Sequence, residues 1–217
     1  MLLCVLAKEP RPGFVKTRLC PPCSPDQAAE LAAACLVDTL RTVVATDDAR
    51  PLVVLDGEPG PWLPPGIDVL DQVDGDLGRR LDAAVAAAFD LHPAGPVVVI
   101  GMDTPQVRPA DLIPVGALLG AGTPPTADAV LGMATDGGYW LIGFRQPVPG
   151  AFDGVPMSTS GTGAAQVRRL SELGCRVLLT RKLVDVDDIA SARRVAHEAP
   201  TTTFAATLRR VDHQRSV

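Results

Sequence analysis

No stretch of this chain approaches the ~18 consecutive apolar residues of a membrane-spanning helix. Met1–Leu6 is too short for a signal-peptide core, and no basic segment precedes it. These absences point to a cytoplasmic protein without a membrane partner. Positive charge is also in short supply: 20 Lys and Arg face 25 Asp and Glu, a net charge of −5. That argues against a nucleic-acid partner, which needs a basic footprint, but not against a small anion held by a local cluster. Histidine is scarce, with three in all. None sits beside Ser or Cys in a nucleophile motif, and there is no G-x-S-x-G, so a hydrolase with a His base is unsupported. The five cysteines are odd in number and scattered, with no second Cys or His pair at zinc spacing. Cys4, Cys35 and Cys175 sit in apolar runs and read as small buried hydrophobes. Repeats, low-complexity blocks and linkers are missing too. At 217 residues the chain reads as a single domain over 1–198 with a polar tail over 199–217.

The apolar residues fall into an alternating series. Leu2–Ala7, 51–56, 67–72, 96–101, 128–134, 139–144 and 175–180 read as strands, several of them continuous apolar runs of the buried kind. Helices are expected from Pro25 to about Thr46, from Asp76 to about Leu91, over Pro109–Leu119, over Thr162–Leu173, and to about His197 after a cap at Asp187. Ser24-Pro25-Asp26-Gln27 carries the signature of a capping box with Pro at the first helical position. The fold class is α/β: a Rossmann-like, doubly wound, mostly parallel sheet.

In such sheets ligands bind beyond the carboxyl ends of the strands, so the loops there hold the candidates. After the first strand comes "AKEPRPGFVKTRL". Val15 stands where a Walker loop needs Gly, so this is not a P-loop. What remains is a Pro-stiffened loop with Gly13 and three cations, Lys8, Lys16 and Arg18, suited to phosphate; a solvated charged loop is the plain alternative. In "GMDTP", Asp103 at the end of a buried strand is placed to hold a hard divalent cation, or to cap a turn. In "LVDVDD", Asp187 is either a helix cap or a second carboxylate on the same ion. In "DGDLGRR", Asp76 and Gly78 open a helix where an anion could sit, or form an ordinary turn. In "TDGGYWLIGF", Asp136, Gly137 and Gly138 make a hairpin turn that would also let an acceptor lie against the backbone beside Tyr139. Cys20-Pro-Pro-Cys23 has redox spacing, but the helix opens after it rather than within it. It reads as a stiff bend.

Taken in order, "AKEPRPGFVKTRL", "DGDLGRRL", "GMDTPQV", "DGGYWLIGF", Ser158-Thr159 and "LVDVDD" resemble a family of bacterial GT-A-like proteins. Its members are labelled glycosyltransferases or nucleotide-diphospho-sugar transferases, some of them associated with arsenosugar, radical-SAM and selenium-related gene neighbourhoods. The resemblance spans about residues 1–195 and extends to phospholactate and molybdopterin guanylyltransferases. It implies a nucleotide-diphospho-sugar transferase (GT-A) fold and Mg²⁺ or Mn²⁺ on Asp103 and Asp187. It also implies nucleotide at Lys8, Lys16 and Arg18, and acceptor contacts near Ser158 and Thr159. The family commonly has Trp before the Ser-Thr pair; here it is Met157.

The expected function is a metal-dependent transferase using a nucleotide-activated donor and a small acceptor. A glycosyltransferase is the first reading, with Asp103 and Lys16 at the reacting groups and Asp136 as acceptor-side base. The alternative is a nucleotidyltransferase, in which an anionic acceptor attacks an NTP and expels pyrophosphate; three cations on one loop suit a triphosphate. A nucleotide-binding protein without turnover would be marked by loss of Asp103 or Lys16, and both are present.

Overall fold

The computed structural model describes residues 1–215. Seven strands, β1 (Leu2–Lys8), β2 (Arg50–Asp56), β3 (Asp68–Asp71), β4 (Val97–Gly101), β5 (Ala129–Ala134), β6 (Tyr139–Phe144) and β7 (Val177–Leu183), form one sheet. Their order is β3-β2-β1-β4-β6-β5-β7. Six helices flank it: α1 (Pro25–Val44), α2 (Leu77–Leu91), α3 (Pro109–Leu118), α4 (Thr162–Glu172), α5 (Ile189–Glu198) and α6 (Thr203–Arg215).

The continuous apolar strands bury both faces, as period-two side-chain alternation requires. Leu3, Val5, Val53, Leu55, Val98 and Ile100 face one way and pack with Leu36 and Leu40 of α1 and Leu112 and Val115 of α3. Leu2, Cys4, Leu52, Val54, Val97 and Val99 face the other way, against Leu81, Ala84 and Ala88 of α2 and Leu170 of α4. Each large side chain so buried contributes about 1.5–3 kcal/mol. The capping box at α1 forms as the sequence predicts: Gln27 N donates to Ser24 Oγ, and Ser24 N donates to Gln27 Oε1.

The sheet is mostly parallel, but β6 runs antiparallel to both β4 and β5. The tight turn over 135–138 returns the chain directly, and a parallel neighbour would need a long crossover. That reversal brings the start of β6 to the same edge as the ends of β1, β4, β5 and β7.

Two expectations differ from the structure. The cap of α5 is Asp188, whose side chain accepts from Ser191 N, and not Asp187. Residues 203–215, within the expected polar tail, form helix α6. Phe204, Leu208 and Val211 of α6 lie in a third apolar cluster with Leu31 and Cys35 of α1 and Val195 of α5. Residues 216–217 of that tail lie outside the described residues.

Candidate active site

At β1 the strand order reverses, with β2 on one side and β4 on the other. That leaves a crevice beyond the carboxyl ends of β1 and β4. A cleft of about 610 Å³ opens there, and Lys8, Lys16, Arg18, Asp103, Tyr139, Ser158 and Asp187 all border it. The loops after β1, β4 and β7 and the start of β6 therefore meet at one place.

Lys16 lies at the centre. Its backbone is left-handed at φ 49 and ψ 36, a conformation that costs a non-glycine residue about 1–2 kcal/mol. Ser158, at φ 58, is a second such residue on the cleft wall. Strained backbone persists where the surroundings enforce it, often at ligand sites. The Lys16 side chain is only 8% exposed, and its Nζ lies 2.6 Å from Asp103 Oδ1. Nζ also donates to the Val186 carbonyl. Burial works against the ammonium, yet Asp103 and the more distant Asp187 outweigh it and hold the Lys16 pKa above its ordinary value. Val186 N donates to the Asp103 carbonyl at 2.9 Å, which ties the loops after β4 and β7 together. Arg18 pairs with Asp187 on the open side.

The other expected site residues fall differently. Asp76 caps α2 by accepting from Arg79 N at 2.9 Å, and Gly78 is buried with Met157 above it. Gly13 has φ 81 in open space. None of these three borders the cleft. Asp136 Oδ1 accepts from Gly138 N at 2.8 Å within the β5–β6 turn. Gly137 packs so closely on the next loop that an added Cβ would lie 1.9 Å from the Ser160 carbonyl oxygen. Thr159 bonds locally with Thr162. Tyr139, whose phenol burial pushes up, donates toward Gln166 Oε1 at 3.4 Å. So the cleft itself gathers Lys8, Lys16, Arg18, Asp103, Asp187, Tyr139 and Ser158, while Asp136, Gly137, Gly138 and Thr159 shape the neighbouring turn and loop.

The cleft also holds residues absent from the sequence-based candidates. Asp185 borders it, and its Oδ1 is buried without a hydrogen-bond partner. Burial first, then the Asp136 and Asp103 carboxylates, push its pKa up to about 7. Thr104 Oγ1 is likewise buried without a partner. Arg80 of α2 donates to Asp56 Oδ2 at 2.6 Å and to Gln72 Oε1 at 3.2 Å, and Gln72 in turn donates to the Ala7 carbonyl at 2.7 Å. That chain fixes one wall. Arg80 stood inside a motif singled out in the sequence and was legible there; Asp185 and Thr104 gave no signal beyond their neighbours.

Cys20 and Cys23 are free thiols. Cys23 packs into the third apolar cluster with Cys20 against it, and neither borders the cleft.

Among the described residues no group of three or more His, Cys, Asp or Glu side chains forms a metal site. Mg²⁺ is usually held by one or two carboxylates plus substrate phosphates rather than by an all-protein cage. Asp103 at the cleft and the orphaned oxygen of Asp185 fit that mode.

Residues 30–159 match the family DUF2064, described as "Uncharacterized protein conserved in bacteria". The chain belongs to this family. No curated protein matches it. Among solved structures it is similar to a protein of Desulfovibrio desulfuricans G20 provisionally described as a nucleotide-diphospho-sugar transferase. The two are 27% identical, with a TM-score of 0.87 over 99% of this chain and 96% of that one. A 4-diphosphocytidyl-2C-methyl-D-erythritol synthase matches with a TM-score of 0.59 at 12% identity, over 91% of this chain and 97% of the other. A nucleotidyl transferase from Methanothermobacter matches with a TM-score of 0.53 at 16% identity, over 93% and 99%. These two share the fold. The chain thus has the Rossmann-like α/β fold found in nucleotide-diphospho-sugar and nucleotidyl transferases. No helix among the described residues is long and apolar enough to cross a membrane.

Proposed function

We propose that the protein is a metal-dependent transferase acting on a nucleotide-activated donor, with nucleotidyl transfer to an anionic small molecule as its reaction. The observation that carries this reading is the Lys16 ammonium, buried and held against Asp103 where the sheet order reverses. A buried cation at that crevice, flanked by Lys8 and Arg18, is suited to a phosphate chain. Four cations (Lys8, Lys16, Arg18 and Arg80) border the cleft, of which Lys16, Arg18 and Arg80 pair with Asp103, Asp187 and Asp56. A metal ion would add the positive charge that a triphosphate needs.

In this reading an oxygen of the acceptor attacks the α-phosphorus of a nucleoside triphosphate. The new phosphorus–oxygen bond forms as the bond to the bridging oxygen breaks, and pyrophosphate leaves with the electron pair. An acceptor phosphate or carboxylate is already ionised and needs no base. Lys16 and Arg18 stabilise the charge that grows on the leaving pyrophosphate. Asp103 and a second carboxylate of the β7 loop would hold the cation. When bound, the cation supplies charge neutralisation at the phosphates. Tyr139 and Ser158, which border the same cleft, would orient the acceptor.

A second reading, transfer of a sugar from a nucleoside diphosphate sugar, is favoured by the 27% identity to the Desulfovibrio protein. A thermal-shift panel separates the two. Each nucleoside triphosphate and nucleoside diphosphate sugar is tested with Mg²⁺ or Mn²⁺ on wild type and Asp103→Ala. A ligand at 100 times its Kd stabilises by about 2.7 kcal/mol. Metal-dependent stabilisation by one triphosphate, lost in the variant, supports nucleotidyl transfer. Stabilisation by a diphosphate sugar alone overturns that choice in favour of glycosyl transfer.

A further inference from the structure

Phe14 is an aromatic side chain left 69% exposed on the border of the cleft, two residues before Lys16. Its placement follows from the local sequence. Arg11-Pro12-Gly13-Phe14 has Pro at the second position and Gly, at φ 81, at the third, the pattern of a type II turn. Phe14 N closes the turn by donating to the Arg11 carbonyl at 3.1 Å. A turn of this kind brings its first and last residues side by side, and the Arg11 guanidinium lies over the Phe14 ring, 4.7 Å from its centre.

Arg11 is held in its turn. Its Nε lies 3.5 Å from Glu9 Oε2, and the same oxygen accepts from Glu58 N at 2.9 Å. Glu9 N donates to the Asp56 carbonyl at 2.9 Å, so the loops after β1 and β2 are tied together beside the ring. One face of Phe14 is covered by a cation, and the exposure belongs to the other. A lone exposed apolar side chain is ordinary on a protein surface, but two observations set this one apart. The ring is supported from one side by a series of polar contacts at the edge of a ligand cleft. Among the described residues, the exposed large apolar side chains that border that cleft are Phe14 and Leu77, the first residue of α2.

We infer that Phe14 is a stacking platform for the base of the donor nucleotide, with Arg11 holding the ring from its other face. The inference rests on the reading that the donor is a nucleotide. It holds for a triphosphate and for a diphosphate sugar alike, since both carry a base. Neither phosphate nor an anionic acceptor gains from facing an uncharged ring, and the flat part of the donor that does gain is its base. Phe14 is separated from Lys16 by at most about 7 Å of chain. One loop therefore offers a cation to the phosphates and a ring to the base of a single nucleotide. Every base presents a π-face, so the platform contributes affinity without choosing between bases.

The test is calorimetric titration of the full chain, with Mg²⁺ present, by ATP, GTP, CTP, UTP and the four corresponding diphosphates. Tripolyphosphate and pyrophosphate, which carry the phosphates and no base, are titrated beside them. The variants are Phe14→Ala, Phe14→Leu and Phe14→Trp, each checked by circular dichroism; at an exposed position all three should fold. Loss of a stacked aromatic side chain lowers affinity by about 5- to 150-fold. Expected for the tightest nucleotide is a loss of at least about fivefold in Phe14→Ala and in Phe14→Leu, with Phe14→Trp within about twofold of wild type or tighter. Tripolyphosphate and pyrophosphate should change less than about twofold in every variant. Nucleotide affinity unchanged in Phe14→Ala would overturn the platform. Affinity kept by Phe14→Leu would overturn stacking, because apolar area alone would then suffice. Equal losses for nucleotide and tripolyphosphate would also overturn it, making the ring a support for the phosphate loop. Wild type that binds tripolyphosphate as tightly as every nucleotide would do the same, since no base would then contribute. Wild type that binds none of these probes is a different result: it would overturn the nucleotide-donor reading itself, and the platform with it.

Discussion

Helix α6 packs on α1 and α5 through Phe204, Leu208 and Val211, and its first turn is capped by one carboxylate of α1. The first four N–H groups of any helix lack intrahelical partners, and in α6 each has found one. Thr203 N donates to Asp38 Oδ1 at 3.0 Å and Phe204 N donates to Asp38 Oδ2 at 2.7 Å. Ala205 N donates to Thr202 Oγ1 at 3.1 Å, and Thr202 N to the Ala199 carbonyl at 3.3 Å. Asp38 is in α1, 8% exposed. Asp38→Ala removes both of its acceptor oxygens and leaves two N–H groups unmatched. A hydrogen bond to a charged acceptor contributes about 1.5–3 kcal/mol. The two bonds share one carboxylate and will not add fully, so a loss of about 3 kcal/mol is expected. With a urea dependence of about 2–3 kcal/mol per molar, the unfolding midpoint should fall by roughly 1 M. At about 2–4 °C per kcal/mol for a chain of this size, Tm should fall by about 6–12 °C. Hydrogen exchange should show residues 203–215 losing protection first. Nucleotide binding should persist, because neither Asp38 nor α6 borders the cleft. A loss under about 1 kcal/mol with α6 still protected would refute the capping argument.

Other outcomes follow from the site. Gly137→Ala places a Cβ 1.9 Å from the Ser160 carbonyl at φ 96; a cost of about 3 kcal/mol or more is expected in urea unfolding, and a change under about 1 kcal/mol would contradict the close contact. In metal-free buffer, Asp185 with its pKa raised to about 7 by burial and its acidic neighbours binds more protons folded than unfolded. Its contribution is therefore full below about pH 4 and lost as pH rises through about 7. After a discount for its partial exposure, Asp185→Asn should be more stable than wild type by about 2 kcal/mol at pH 8 and nearly equal at pH 4, measured by urea unfolding. The double substitution Cys20→Ser with Cys23→Ser should leave nucleotide-dependent thermal stabilisation unchanged, and its loss in a folded variant would give the pair a working role.

Much of the fold could be read from the chain because its strands are continuous apolar runs and its helices open on strong caps. Ser24-Pro25-Asp26-Gln27 shows both signals. The antiparallel sense of β6 was not read as such, although the short turn over 135–138 contained it. Helix α6 was missed for a tertiary reason. Its apolar residues are sparse, and its first turn is satisfied by Asp38, 165 residues earlier, which no local pattern reveals. Capping of α5 was off by one residue because consecutive aspartates offer equivalent caps, and only the backbone chooses between them. At the site, Lys16, Arg18 and Asp103 announced themselves by type and by position after strands. Asp185 did not, because its distinction from Asp187 lies in which side chain finds a partner.

The most direct test of the central claim is calorimetric titration of the best-stabilising nucleotide, with Mg²⁺ present, into wild type and Lys16→Met. The methionine keeps the length of the buried side chain and removes the ammonium that faces Asp103. Expected is a loss of at least tenfold in affinity, about 1.4 kcal/mol, in a variant that remains folded. Unchanged affinity would contradict the assignment of this crevice to the phosphates.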